Sequence, residues 1–104
     1  MTNNFTPGPW MTDLTPIQEK GSIAIFAQAG VACIALIQPG CLPEEGRQDA
    51  SIANAMLIAA APNLFSACQI GINALLRIPN RDDAEQHALT IMQTAIHQTQ
   101  ILGA

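Results

Sequence analysis

The sequence is short of charge. Asp, Glu, Lys and Arg make up only 12% of its 104 residues, whereas 49% are apolar, and soluble domains carry about twice that share of charge. A chain of this length forms one domain with a modest core and a large surface for its volume. Because few charges cover that surface, part of it must stay apolar or be buried by a partner. We therefore expect residues 1–104 to form a single domain that assembles as a homo-oligomer.

Positive charge is the scarcest kind. The net charge is −4, and the four basic residues form no run along the chain. A phosphate backbone is bound by clustered cations, so we expect no direct binding of nucleic acid. The acidic balance has two interpretations, ordinary solubility charge or a mildly acidic surface that docks on a basic protein.

Cysteine patterns and long apolar runs are also missing. Three cysteines are an odd number, and none is spaced as C-x-x-C, so the pattern does not suggest a disulfide framework or a zinc site. Cys33 and Cys68 stand among apolar residues and are predicted to be small core side chains. With no signal-peptide pattern and no run of 18 apolar residues, we expect no membrane contact and a cytoplasmic location.

The sequence contains no pattern of a catalytic centre. No phosphate-binding glycine loop and no converging carboxylates are present. His87 and His97 lie ten residues apart in one predicted helix, so they project about 80° apart and almost three turns apart. They cannot share a metal within one subunit, which leaves only a pair across a symmetric interface as an alternative. We predict no catalytic residue, no metal and no cofactor, and hence that the protein is not an enzyme.

The N-terminal part contains an arm and strand-like segments. Residues 1–9 are predicted to be an extended arm, because closely spaced prolines exclude a helix. Trp10, the single tryptophan, either anchors this arm to the body or stacks on a ligand. Residues 10–40 are predicted to be a small antiparallel sheet, in which a short strand precedes a hairpin of residues 22–28 and 31–38.

Helical periodicity follows in residues 49–102. Pro62 cannot lie inside a continuous helix, and it fits the first turn of a second one. Asp82 with Glu85 three residues later is typical of a capping box at the start of a third helix. Strands followed by helices indicate an α+β fold, with the sheet packed against two or three helices.

The most apolar stretch is residues 50–65, where Asp49 or Ser51 is predicted to cap the helix start. Its apolar side chains surround most of the helix, so we expect it to be buried on more than one side. Asn54 is the polar exception. A buried amide must be satisfied, so Asn54 either bonds to the sheet or to its counterpart in a second subunit, or it reads the edge of a base or sugar.

Two segments carry a resemblance to a known family. Residues 6–10 read TPGPW, and residues 53–62 read ANAMLIAAAP, with a leucine-containing helix after them. In sequence, order and spacing this pair, of the form TPGPW and ANAxLIAAAP, resembles a family of small phage and prophage accessory proteins. The resemblance implies an N-terminal sheet and C-terminal helices.

The same architecture is similar to that of the anti-Thoeris nucleotide sponges. Those phage proteins oligomerise and bind cyclic ADP-ribose-type signals made by bacterial TIR enzymes, without cleaving them. The resemblance implies an anti-defence protein in the cytoplasm of the bacterial host. The ligand-binding candidates are Asn54, Trp10, Phe65, Arg47 and Arg77. The alternative is an anti-CRISPR or another inhibitor that binds a host defence protein complex directly.

Overall fold

A computed structural model describes residues 5–14, 22–30 and 32–100 of the chain. Three strands come first and three helices follow, which confirms the α+β fold. The elements are β1 (Trp10–Asp13), β2 (Ile23–Ala27), β3 (Ala32–Ile37), α1 (Arg47–Ala59), α2 (Ala61–Leu76) and α3 (Asp83–Gln98).

The chain divides into two compact units, Met1–Asn63 and Leu64–Ala104. The first contains residues 5–9 of the predicted arm, the sheet, α1 and the first residues of α2, and residues 1–4 of the arm lie outside the described residues. The second contains the rest of α2 and all of α3. The expectation that residues 1–104 form a single domain stays a prediction.

The sheet has the order β1-β2-β3, and both pairings are antiparallel. The predicted hairpin of β2 and β3 is therefore confirmed. A short 3₁₀ turn, Gln28–Gly30, joins the two strands. Gly30 has a φ of 92°, a left-handed backbone conformation that glycine adopts without a steric penalty.

A β-bulge in the hairpin changes which side chains of β3 face the core. Ile25 lies opposite Ala35, but the next residue, Phe26, lies opposite Cys33, so Ile34 is an extra residue in β3. Because side chains alternate along a strand, this insertion turns Cys33 to the outer face of the sheet. Cys33 is exposed, and the prediction that it is a core residue is wrong for that reason. Cys68 is half-buried.

The core of the first unit lies between β2 and α1. Ile23, Ile25 and Ala55 have no exposed surface. The small side chain of Ala55 lets the helix approach the strand closely. The side chains that pack around these three residues with partial burial are Trp10, Ile34, Ala35, Ile37, Ile52, Ile58 and Ala59. Complete burial of one isoleucine side chain contributes about 1.5–3 kcal/mol, so this small cluster is the main stabilising contact of the unit.

Helix α1 begins earlier than predicted, and its N-cap is Gly46 with a φ of 71°. The prediction that Asp49 or Ser51 caps the helix is wrong. The left-handed turn at Gly46 starts the helix at Arg47, which places Ser51 one turn inside it. There Ser51 is fully buried, and its hydroxyl donates to the Arg47 carbonyl oxygen at 2.7 Å, which satisfies the buried polar group.

The predicted break at Pro62 and the predicted capping box are both confirmed. Pro62 is the second residue of α2. Backbone N–H groups in the first turn of a helix have no carbonyl partner within the helix, so proline, which lacks an N–H, loses no hydrogen bond there. At α3 the Glu85 backbone N–H donates to Asp82 Oδ1 at 2.7 Å, and the Asp82 backbone N–H donates to Glu85 Oε1 at 3.0 Å. Helix α3 ends at Gln98. The last part of the predicted helical range, residues 101–102, lies outside the described residues.

In the second unit, α2 and α3 contact each other near their middles. A Cβ atom built on Gly71 would lie 2.7 Å from Met92 Sδ, so a side chain at this position would collide with the methionine. The Arg81 guanidinium donates to the carbonyl oxygens of Leu75 and Ile78 at 3.2 Å each. The Leu75 carbonyl oxygen also accepts from the Ile78 backbone N–H at 3.1 Å, so Arg81 reinforces the turn that follows the end of α2.

Candidate functional site

The five predicted ligand-binding residues fall in different parts of the chain. Trp10, Arg47 and Asn54 belong to the first unit, whereas Phe65 and Arg77 belong to the second. Neither unit therefore contains all five side chains.

Trp10 holds the N-terminal arm. Its indole Nε1 donates to the Thr6 carbonyl oxygen at 3.0 Å, and its ring meets that of Phe5 edge-on, with centroids 6.4 Å apart. The half-buried ring also packs against the core cluster of the first unit. The interpretation of Trp10 as the anchor of the arm is confirmed, and its role in ligand stacking stays a prediction.

The arm lies directly against the start of α2. A Cβ atom built on Gly8 would lie 2.7 Å from Pro62 Cβ and 3.1 Å from Pro62 Cγ, and Pro62 is itself buried. The segments TPGPW and ANAMLIAAAP, which are far apart in sequence, therefore meet in the fold. Sequence reasoning treated them as separate motifs and missed this contact. The available signal was a glycine between two prolines, two residues before the only tryptophan.

Arg47 is engaged inside the first unit. Its Nε and Nη2 atoms donate to the Leu42 carbonyl oxygen at 3.1 and 2.8 Å. The side chain is half-buried and fixes the loop that leads into α1. It therefore has a structural role in the free chain, although the remaining donors of its guanidinium can still bind an anion.

Asn54 is exposed, so the prediction that it is an interior polar residue is wrong. One side of α1 packs on the sheet through Ala55, with Ile52 beside it, and Asn54 lies outside that side. The sequence shows apolar residues around most of the helix, but the sheet covers only one side of it. No buried amide needs a structural partner here, and the amide faces solvent.

Apolar side chains surround Asn54 on the surface of α1. Met56 and Leu57 are 60% and 63% exposed. We define the outer face of α1 as Ala50, Ala53, Asn54, Met56 and Leu57, all of which are exposed. This face contains no charged residue, but Glu44, Glu45 and Asp49 are exposed at the N-terminal end of the helix.

The two remaining candidates differ in exposure. Phe65 is 7% exposed, so its ring does not present a face for stacking in the free chain. Arg77 is exposed and can reach an anion from solvent. The part these two residues play in ligand binding stays a prediction.

Two negative findings apply to residues 5–14, 22–30 and 32–100. They contain no group of three or more His, Cys, Asp or Glu side chains that could hold a metal ion. No single helix among them is long and apolar enough to span a membrane, although α1 and α2 together, as a bent pair, meet the length and composition criteria.

A comparison with protein families identifies the class of protein. The family model described as Salmonella phage P22 protein Y8K6 matches residues 1–101, a range that includes the arm, the sheet and all three helices. The chain is thus a small phage protein.

More specifically, it belongs to the family of Salmonella phage P22 protein Y8K6. No curated protein and no solved structure matches the chain significantly. The similarity to anti-Thoeris nucleotide sponges stays a prediction.

Proposed function

We propose that this phage protein is an anti-defence protein that acts by binding, with the outer face of α1 docking into a host defence protein complex in the bacterial cytoplasm. One observation carries the proposal. Met56 and Leu57 expose about three-fifths of their surface on a helix whose opposite side forms the core. Large apolar side chains grouped on one exposed helix face are typical of an interaction surface.

The chemistry of this face suggests the kind of site that would accept it. An amphipathic helix binds a partner by laying its apolar side chains into an apolar groove. Met56 is flexible and adapts to such a surface, and the Asn54 amide supplies a donor and an acceptor beside it. The exposed acidic residues at the N-terminal end of α1 favour a groove with a basic rim at one end.

A substitution on this face tests the proposal. Leu57→Asp should abolish protection of phage in cells that carry the targeted defence system, because a charge in the apolar groove would be desolvated without a partner. The matched control is Met11→Asp, which changes a residue of similar exposure, 64% against 63%, on the sheet.

The measurements are plating efficiency of a sensitive phage and co-elution of the purified protein with a purified CRISPR effector complex. Circular dichroism checks that both variants fold. Full protection by a folded Leu57→Asp variant would contradict the proposal, as would equal loss in both variants.

The second candidate is a nucleotide sponge that sequesters a cyclic ADP-ribose-type signal without cleaving it. The observation that favours it is the exposure of Asn54 and Arg77. An amide can read a base or sugar edge, and a guanidinium can pair with a pyrophosphate. Trp10 and Arg47 already bond within the chain, so a sponge would hold its ligand mainly through Asn54 and Arg77, enclosed between copies of the protein.

Calorimetry and heat release separate the two candidates. A sponge retains a cyclic ADP-ribose-type nucleotide and releases it unmodified on heating, and Asn54→Ala and Arg77→Ala each weaken retention. Gln48→Ala is the control, since Gln48 is also an exposed amide of α1. A protein that binds none of these nucleotides is not a sponge, and the result leaves docking through α1 to its own test.

A further inference from the structure

We propose that Asn54 is the specificity-determining residue of the outer face of α1, and that the groove accepting this face supplies a polar group to its amide. The inference rests on the docking proposed above for α1, and it names the chemistry that the partner needs. It starts from the single polar side chain on an otherwise apolar helix face.

Asn54 lies within one exposed row of α1. Residues 50, 53, 54 and 57 follow the spacing i, i+3, i+4 and i+7, and residues at this spacing lie on the same side of a helix. All four are exposed. A partner that covers Leu57 therefore also covers the amide one turn before it.

The neighbours of Asn54 in this row are small. Ala50 and Ala53 have short side chains, so a partner surface that contacts Leu57 can approach the helix backbone and enclose the amide. The backbone groups around it are already bonded within the helix. Docking thus replaces the water around the amide by the groups that the groove supplies.

The amide is not occupied within the part of the chain that the structure describes, where no hydrogen bond joins the Asn54 side chain to another group. Ser51, on the opposite side of the helix, differs. It is fully buried, and its hydroxyl donates to the Arg47 carbonyl oxygen at 2.7 Å. The fold satisfies the polar side chain that it buries, and it leaves the donors and the acceptor of Asn54 to a partner.

An amide that is enclosed without a partner lowers the affinity. It loses its bonds to water, and that penalty is of the same order as the gain from burying the exposed part of Leu57. A groove that is apolar throughout would bind this face weakly, whereas a groove with a donor and an acceptor recovers the loss. The expected discrimination between the two grooves is about 5- to 100-fold. Affinity then comes from Met56 and Leu57, and specificity from Asn54.

The complementary group in the groove is expected to be neutral. The outer face carries no charge, so a carboxylate or an ammonium group facing it would be desolvated without an opposite charge. A peptide group or an Asn or Gln side chain supplies a donor and an acceptor without that cost. Basic groups of the partner belong at one end of the groove, opposite Glu44, Glu45 and Asp49.

Asn54→Leu tests the proposal by the sign of its effect on binding. For the purified CRISPR effector complex that co-elutes with the wild-type protein, we expect calorimetry to give a dissociation constant raised by about tenfold or more, because the polar group of the groove is left unpaired. With no such group, the more apolar face would bind more tightly. Gln48→Leu is the matched control, since it makes the same change at an exposed residue of α1 outside the outer face, and it should leave the constant unchanged.

Thermal unfolding and a second complex complete the test. Leucine favours a helix more than asparagine does, so Asn54→Leu should unfold at the wild-type temperature or above it. Its dissociation constant for a CRISPR effector complex that the wild-type protein does not inhibit should stay the same or fall. If Asn54→Leu binds the co-eluting complex as tightly as the wild type, this inference is overturned and docking through α1 stands. If Leu57→Asp also binds it as tightly, or if the wild-type protein binds no defence complex, both are overturned.

Discussion

The two units of the molecule use their apolar residues differently. In the first, a sheet and a helix enclose Ile23, Ile25 and Ala55 completely. In the second, two helices meet at Gly71 and Met92 and leave most inner side chains half-exposed. A sheet face is broad enough to cover one side of a helix, whereas two helices touch along a line. Similar apolar content therefore produces a closed core in one unit and an open surface in the other.

A substitution in the closed core of the first unit should lower the free energy of unfolding the most. Ile25→Ala removes a side chain with no exposed surface, and we expect a loss of about 3–4 kcal/mol in the free energy of unfolding, since truncation leaves a cavity. Urea denaturation followed by circular dichroism measures it. Ile72→Ala, at a half-buried position of α2, should cost less than half as much. Equal losses would show that the second unit is as well packed as the first.

A substitution at the contact between the arm and α2 should cause the second-largest loss in the free energy of unfolding. Gly8→Ala places a methyl group 2.7 Å from Pro62 Cβ, and the proline ring cannot rotate away. We expect a loss of about 1–3 kcal/mol, the usual cost of overpacking, measured as a shift in the urea midpoint.

Gly40→Ala is the control for that substitution, since no atom lies within 4 Å of a Cβ atom there. It should change stability little. A Gly8→Ala variant as stable as the control would mean that the arm does not rest on Pro62 in solution.

The smallest change in the free energy of unfolding should come from Gly71, the glycine that lies close to a neighbouring side chain in the second unit. Gly71→Ala also places a methyl group 2.7 Å away from an atom, but that atom is Met92 Sδ in a flexible side chain that can move. Alanine is also favoured over glycine in a helix by about 1 kcal/mol. We expect the two terms to offset each other to within about 1 kcal/mol.

Thermal unfolding of Gly71→Ala and Gly8→Ala, measured side by side, compares a new methyl group that meets the flexible Met92 side chain with one that meets the rigid ring of Pro62. If Gly71→Ala proves the more damaging of the two, the α2–α3 contact is tighter than the open packing of this unit indicates.

Local signals predicted much of the fold. Pro62 marks the start of α2 because it has no N–H to donate, and Asp82 with Glu85 marks the start of α3 because both side chains bond to the backbone nearby. The hairpin of β2 and β3 followed from two apolar runs around a short turn. Each of these features depends on neighbours within a few residues.

The candidate site was predicted less well. Asn54 was expected inside and is exposed, because the sequence shows an apolar surround without showing that the sheet covers one side. Trp10 was given two interpretations, and its bond to Thr6 confirmed the anchor. Gly46 as the N-cap of α1 was missed, since the left-handed turn before Arg47 has no side-chain signal.

The sequence by itself determined the α+β class, the break at Pro62 and the shortage of charge that requires an apolar surface. Only the tertiary structure decided where that surface lies. The bulge at Ile34 turned Cys33 outward, and the packing of α1 on β2 turned Asn54 to solvent. Periodicity records which residues share a face of an element, but long-range contacts determine which face another element covers.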